Sequence, residues 1–177
     1  MNSIPKQIKV VRAPKRGHYD QETIYRILDN DFLCHAGFVH EKSPVVIPTL
    51  YGRKDNQLYI HGSMASRMMK NLEQGIEICI TVTQVDGLIL ARSAFHHSMN
   101  YQSVVVFGKA TMVTGVEKLE ALKIISDHII DKRWEEVRQP NEKEMKATMV
   151  LKIALDHASA KVRTGGPVDD EKDLELD

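Results

Sequence analysis

The sequence predicts a single α+β domain, residues 1–177, built round a mainly antiparallel barrel or folded sheet. Segments of strand character cluster and are joined by short polar turns, without the regular strand–helix alternation of a parallel sheet. About seven such segments stand beside three or four with helical periodicity, a proportion that suits a sheet folded round on itself. The 177 residues show no fixed-period repeat and no low-complexity linker. A chain of this length buries roughly two-thirds of its unfolded surface, enough for one proper core.

The elements follow in order. Asp20 is placed as the N-cap of a first helix, followed by Glu22, Ile24, Tyr25, Ile27 and Leu28 at helical spacing. Phe32–Val39 and Val45–Tyr51 are strand runs, and Glu41-Lys42-Ser43-Pro44 between them is a turn. Pro48 cannot donate to a ladder, so its strand is expected to be bulged or at an edge there. Arg53-Lys54-Asp55-Asn56 makes a second turn before a short strand, Leu58–His61. Over 64–74 the period changes: Met64, Met68, Met69 and Leu72 share one helical face, and Gly75 closes the helix. Strands at Ile76–Thr83 and Leu88–Ala91 are joined through Asp86-Gly87, a strong turn pair. A valine-rich strand runs from Tyr101 to about Val113, followed by a helix over about 116–131 with Leu119, Leu122, Ile125, Ile129 and Ile130 on its apolar face. A short helix at Glu142–Ala147 leads into a final strand, Thr148–Leu155.

Composition removes several function classes. Hydrophobic residues make up 42% and charged residues 27%, too apolar for a disordered chain. The 24 basic and 24 acidic residues cancel, which argues against a duplex nucleic-acid binder relying on phosphate neutralisation. No apolar run approaches the roughly 18 residues of a membrane helix. The first residues lack the apolar stretch of a secretory signal, so a cytoplasmic location is expected. Cys34 and Cys79, each inside an apolar run, suggest reduced core thiols. Charge is uneven along the chain. Residues 1–18 form a basic arm with no acid, and residues 165–177 an acidic tail. These ends are expected either to clasp each other or a second subunit, or simply to fray.

The most informative motif is His61-Gly62-Ser63-Met64-Ala65-Ser66-Arg67. A strand ends, a glycine turns the chain, and a helix opens with two hydroxyls and a guanidinium. Unpaired N–H groups at a helix start attract a phosphate, and the Arg67 fork can hold its oxygens. The plainer alternative makes Ser63 the helix cap and Arg67 a surface cation. No Walker lysine and no GxGxxG are present. A second polar segment, Ser93–Ser103, contains His96 and His97, which in an extended chain point to opposite sides and cannot share a metal. It is a ligand-facing loop or an ordinary polar surface. No metal site is expected. Trp134 either caps a flat ligand or anchors the third helix.

The stretches "RGHYDQETIYRILD", "VVIPTLYGR", "LYIHGSMASRMMKNL", "VDGLILARSAFHHSMNYQSVVVFGKA", "RWEEVRQP" and "ASAKVRTGGPVDDEKDL" resemble the flavin-nucleotide-binding branch of the pyridoxamine 5′-phosphate oxidase superfamily, which includes nitroimidazole-reductase (Nim-type) proteins. The resemblance implies a split β-barrel binding FMN, sometimes FAD, at the interface of a homodimer. It implies that Ser66 and Arg67 hold the flavin phosphate, with His61, Gly62 and Ser63 beside them. It implies that the backbone of Val46, Ile47, Pro48 and Thr49 meets the ring edge, and that Tyr101, Gln102 and Ser103 add polar contacts. Similar proteins commonly carry arginine at the position of Gln102. The late Arg-x-His of true pyridoxamine phosphate oxidases is replaced by Lys161-Val162-Arg163, which makes that reaction an unsuitable expectation. The implied function is a low-specificity oxidoreductase passing electrons from a reduced nicotinamide to a small acceptor. His61 or His97 is the expected proton donor, because histidine titrates near neutral pH. The alternatives are a flavin carrier or sensor without turnover, or a haem-binding protein on the same barrel with a histidine as axial ligand.

Overall fold

The computed structural model describes residues 4–175. After a short 3-10 turn at Pro14–Arg16 come strand β1 (Gly17–His18), helix α1 (Gln21–Asp29), and strands β2 (Leu33–His40), β3 (Ser43–Lys54) and β4 (Gln57–Ser63). Helix α2 (Arg67–Glu73), strand β5 (Glu77–Ile89), a 3-10 turn at Ala94–His96, and strands β6 (Ser98–Lys109) and β7 (Thr111–Met112) follow. The chain ends with helices α3 (Gly115–Ile129), α4 (Arg133–Glu136) and α5 (Glu142–Ala147), strands β8 (Thr148–Ala154) and β9 (Ala158–Arg163), and helix α6 (Glu171–Leu174). All nine strands join one antiparallel sheet in the order β1-β9-β6-β5-β2-β3-β4-β8-β7, and the sheet does not close. The fold class expected from the sequence is the one observed. No described helix is long and apolar enough to cross a membrane.

Local chemistry explains the elements that position the site. Asp20 caps α1 by accepting from the Thr23 N–H at 2.8 Å. At the other end of α1, two carbonyls that a helix leaves unpaired find side-chain donors. The Tyr51 hydroxyl donates to Leu28 O at 2.6 Å and the Gln84 amide to Ile27 O at 3.0 Å. Tyr51 is fully buried. Tyr51→Phe is therefore expected to cost about 1–2 kcal/mol, because it strands a buried carbonyl. A chemical denaturation midpoint shows the loss.

The β2–β3 hairpin turns on only Glu41 and Lys42, both at positive φ (48° and 66°), so Ser43 and Pro44 belong to the strand and not to the turn. Pro48 lies in an unbroken β2–β3 ladder, opposite His35. The edge that the sequence demands there is real, because β4 pairs with β3 only from Tyr51 onward.

Two layers of core divide the strands by face. Leu58 and Ile60 of β4 and Met149, Leu151 and Ile153 of β8 point into the main core, with Ile24, Ile27 and Leu28 of α1 and Met68, Met69 and Leu72 of α2. Tyr59 and Val150 point the other way and pack with Ala121 and Ile125 of α3.

Several expectations are corrected. Asp86-Gly87 is not a hairpin turn: β5 runs straight through it, and a register shift against β6 between Val85 and Gly87 leaves Asp86 as a bulge. Gly87 is not in the left-handed region that a two-residue hairpin needs. The helix expected from 64 begins only at Arg67, because the Met64 N–H bonds Ala147 O and holds residues 63–65 against α5. On α3 the buried positions are Ala121 and Ile125, while Leu119 and Ile130 face solvent. Strand β9 was not anticipated; it continues the sheet between β6 and β1. Residues 1–3 of the basic arm and 176–177 of the acidic tail lie outside the described residues. Among the described residues no ion pair joins the arms. Asp169 instead accepts the Arg92 N–H at 2.8 Å. Cys34 is buried and Cys79 half-buried, both as free thiols.

Candidate functional site: the split between two strands

β3 and β4 are partners from Tyr51↔Ile60 to the hairpin end, and then they part. Beyond that point β3 keeps only β2, and His61, Gly62 and Ser63 of β4 keep only β8. The backbone of Val46, Ile47, Pro48 and Thr49 thus presents one edge without a strand partner. Helix α2 flanks this split: Met69 packs on Gly62 of β4, and Asn71 Oδ1 lies 3.0 Å from Nδ1 of His40 on β2. Gly62 is not a turn residue, as the sequence suggested, but sits within β4 opposite Met149. Its role is close approach: a Cβ there would lie 2.8 Å from Met69 Cγ of α2.

The start of α2 combines three groups. Ser66, rather than Ser63, is the N-cap, its hydroxyl accepting from the Met69 N–H at 3.4 Å. The Ser63 hydroxyl accepts from the Ala65 N–H at 3.1 Å. Each hydroxyl acts here as acceptor, so each keeps its proton to donate to an anion. Arg67 is exposed, no acid lies in the first turn of α2, and among the described residues no side chain bonds its guanidinium. An anion seat and a plain cap both fit Ser66; the uncommitted guanidinium is what favours the anion.

His61 parts company with these residues. Gly62 faces Met69, so its neighbour in the strand faces the opposite side of β4. There His61 lines a cleft of about 390 Å³ with Leu50, Leu122, Ile129, Trp134 and Thr148 among its walls. Its Nδ1 is sealed from solvent without a hydrogen-bond partner. Burial lowers its pKa from the ordinary value near 6.5. Stability that depends on neutral His61 is therefore complete above that value and is lost as pH falls below it. In protein stripped of small molecules, the wild type is expected to lose more melting temperature between neutral and mildly acidic pH than His61→Gln does. Trp134 anchors the third helix, its backbone N–H donating to Asp127 Oδ1 of α3 at 2.8 Å, and it also lines the cleft.

The β6 group lies apart. Pro48, His35, Thr81 and Val105 occupy one row across β3, β2, β5 and β6, and Ser103 stands two residues along β6 from it. Three strand spacings put Val105, and with it the β6 group, about 14 Å from β3 along the sheet. Tyr101, Gln102 and Ser103 therefore stand three strands across the sheet from the Val46–Thr49 edge. His97 faces its own loop, with Nε2 3.1 Å from Ala91 O. Gln102 is held by residues that the sequence gave no reason to join to it. Arg26 of α1 donates to its carbonyl oxygen at 2.7 Å, and its amide lies 3.3 Å from both oxygens of the bulged Asp86.

A family model described as pyridoxamine 5′-phosphate oxidase matches residues 20–162. The chain belongs to this family. Flavocytochrome Anf3 from Azotobacter vinelandii superposes with a TM-score of 0.89 at 39% identity, over 98% of this chain and 81% of that one. A FAD- and haem-binding protein from Mycobacterium smegmatis gives 0.86 at 32% identity, over 90% and 78%. A candidate 5-nitroimidazole resistance protein from Bacteroides thetaiotaomicron gives 0.69 at 24% identity, over 82% and 86%, a likeness of fold. No curated protein matches.

The split between β3 and β4 is the feature that makes this pyridoxamine 5′-phosphate oxidase family member a split barrel. It also leaves an open sheet face. Leu33 and Val39 of β2 and Val46 of β3 point away from the main core, and Val46 is 65% exposed. Cys79 and Phe107 continue the row that begins with Val46 and Gly37. The result is an apolar, small-residue surface between the split and the β6 group.

Proposed function

We propose that this protein is a homodimeric flavoprotein of the oxidoreductase class. The observation that carries the reading is the uncommitted Arg67 guanidinium beside the Ser66 cap, on the helix that flanks the split where the Val46–Thr49 edge is unpaired. Arg67 and the two hydroxyls would hold the flavin phosphate, and the β3 edge would meet the ring through backbone groups. When bound, the flavin supplies the electron transfer; the protein anchors, orients and shields it. FAD is preferred over the FMN suggested by the sequence, because the relative from Mycobacterium smegmatis is described as FAD-binding.

The open face supports the dimer. The split and the β6 group stand at opposite ends of an apolar ladder. A second copy laid on that face by a two-fold axis would set the β6 group of one protomer near the split of the other. Light scattering at twice the monomer mass supports this, and a monomer at micromolar concentration contradicts it. A cytoplasmic location is part of the reading, in keeping with two unpaired thiols.

The test of function is steady-state consumption of NADH or NADPH by the flavin-loaded protein with a quinone or nitro acceptor. Turnover supports the oxidoreductase; bound flavin without turnover leaves a carrier or sensor. Haem is proposed as a second group, since the two relatives above 30% identity are described as a flavocytochrome and as FAD- and haem-binding. A Soret band beside the flavin bands is the expected spectrum.

A further inference from the structure

We propose that His61 is the axial ligand of a haem seated in the cleft between α3 and the β4–β8 pair, on the far side of β4 from α2. This rests on the haem reading above and assigns its residue and its place. The first argument is direction. Gly62 meets Met69 of α2, so the His61 side chain leaves the strand on the other side, away from the Ser66–Arg67 seat. One strand thus serves two sites, one on each face.

The second argument is the chemistry of the walls. Leu50, Leu122, Ile125, Ile129, Trp134 and Pro140 give an apolar and aromatic lining, with Ser126 and Thr148 as the remaining lining residues beside His61. Among the described residues no second histidine, cysteine or carboxylate lines the cleft. A bare metal ion needs three or four protein ligands and has none here beyond one imidazole. A metalloporphyrin brings four nitrogens of its own and asks the protein for a flat apolar slot and a single histidine.

The third argument is the state of the ring: three of the other seven histidines are tied to their surroundings by a ring nitrogen. His97 Nε2 lies 3.1 Å from Ala91 O, His128 Nε2 lies 2.8 Å from Asp31 O, and His40 Nδ1 lies 3.0 Å from Asn71 Oδ1. His61 combines a buried, unpartnered ring nitrogen with an open apolar cleft. Its backbone is fixed by the β4–β8 ladder opposite Val150, which is a rigid mount for a ligand.

The test is titration of the full chain with haemin, followed by its Soret band and by electron paramagnetic resonance. The wild type is expected to give a histidine-ligated spectrum. His61→Ala is expected to weaken haemin binding by more than about tenfold, since even residues that only support a ligand are worth that much. It should leave the far-UV spectrum and flavin affinity intact. Imidazole added to His61→Gly should restore the ligated spectrum, which a merely structural role would not do. His157→Ala, at an exposed turn, should change nothing. If His61→Ala binds haemin with the wild-type spectrum and affinity, His61 is not the ligand although the haem reading stands. If the wild type itself shows no Soret shift, the haem reading falls and the assignment with it.

Discussion

Arg67→Ala is expected to weaken flavin binding by about one to two orders of magnitude, the loss of charged hydrogen bonds worth about 1.5–3 kcal/mol. The melting temperature of the flavin-free protein should hardly move. Arg67 is exposed and makes no side-chain bond among the described residues, and surface changes of that kind stay within about 0.5 kcal/mol. Arg67→Lys should fall between, because it keeps the charge and loses the planar fork. Ser66→Ala behaves differently: it removes a helix cap and a donor together, so it should lower both stability, by about 1 kcal/mol, and affinity. Fluorescence titration alongside thermal melts separates the two. Unchanged affinity in Arg67→Ala would remove that residue from the site.

The largest stability effect is expected at Gly52. It pairs with Tyr59 where β3 and β4 still run together, and α3 lies directly on it. A Cβ at Gly52 would sit 2.8 Å from Ile125 Cα, 2.9 Å from Ile125 N and 3.0 Å from Ile124 C. These are backbone atoms of a helix, which cannot swing aside as a side chain does. Gly52→Ala must therefore push α3 off the sheet, at a cost at the upper end of the roughly 1–3 kcal/mol of overpacking. Because α3 walls the His61 cleft, the cleft should widen as well. Gly62→Ala meets Met69 Cγ at a similar 2.8 Å, but a methionine side chain can rearrange, so its cost should be smaller. Gly87→Ala meets nothing within 4 Å and should be close to neutral. Urea denaturation of the three variants gives the ranking. A Gly52→Ala protein as stable as the parent would mean that α3 is not seated as described.

Local features were legible in the sequence, and long-range ones were not. α1 is announced by its Asp20 cap and its periodicity, and the short helix expected at Glu142–Ala147 is present, closed at its start by a reciprocal capping box of Asn141 and Glu144. The Ser66–Arg67 pair was legible because its chemistry lies within one turn of chain. β9 was missed because Ala158-Ser159-Ala160 is small and weakly hydrophobic, and its burial comes from β6 rather than from its own pattern. Asp86-Gly87 misled because the same dipeptide serves a turn or a bulge, and only the length of β6 decides between them. The facing of His61 depends on α2 packing on Gly62, and the Arg26–Gln102–Asp86 link joins residues 76 and 16 positions apart. Neither leaves a trace in local spacing. The resemblance supplied the family; the fold supplied the separation of one apparent site into two faces of a strand.

Equilibrium titration of the flavin-free protein with FAD, followed by quenching of isoalloxazine fluorescence, is the most direct measurement of all. Saturable quenching with one flavin per chain, strongly weakened in Arg67→Ala, is the result expected here. Fluorescence that the wild-type protein leaves unquenched, with FAD and with FMN alike, would contradict a flavin seat at the split.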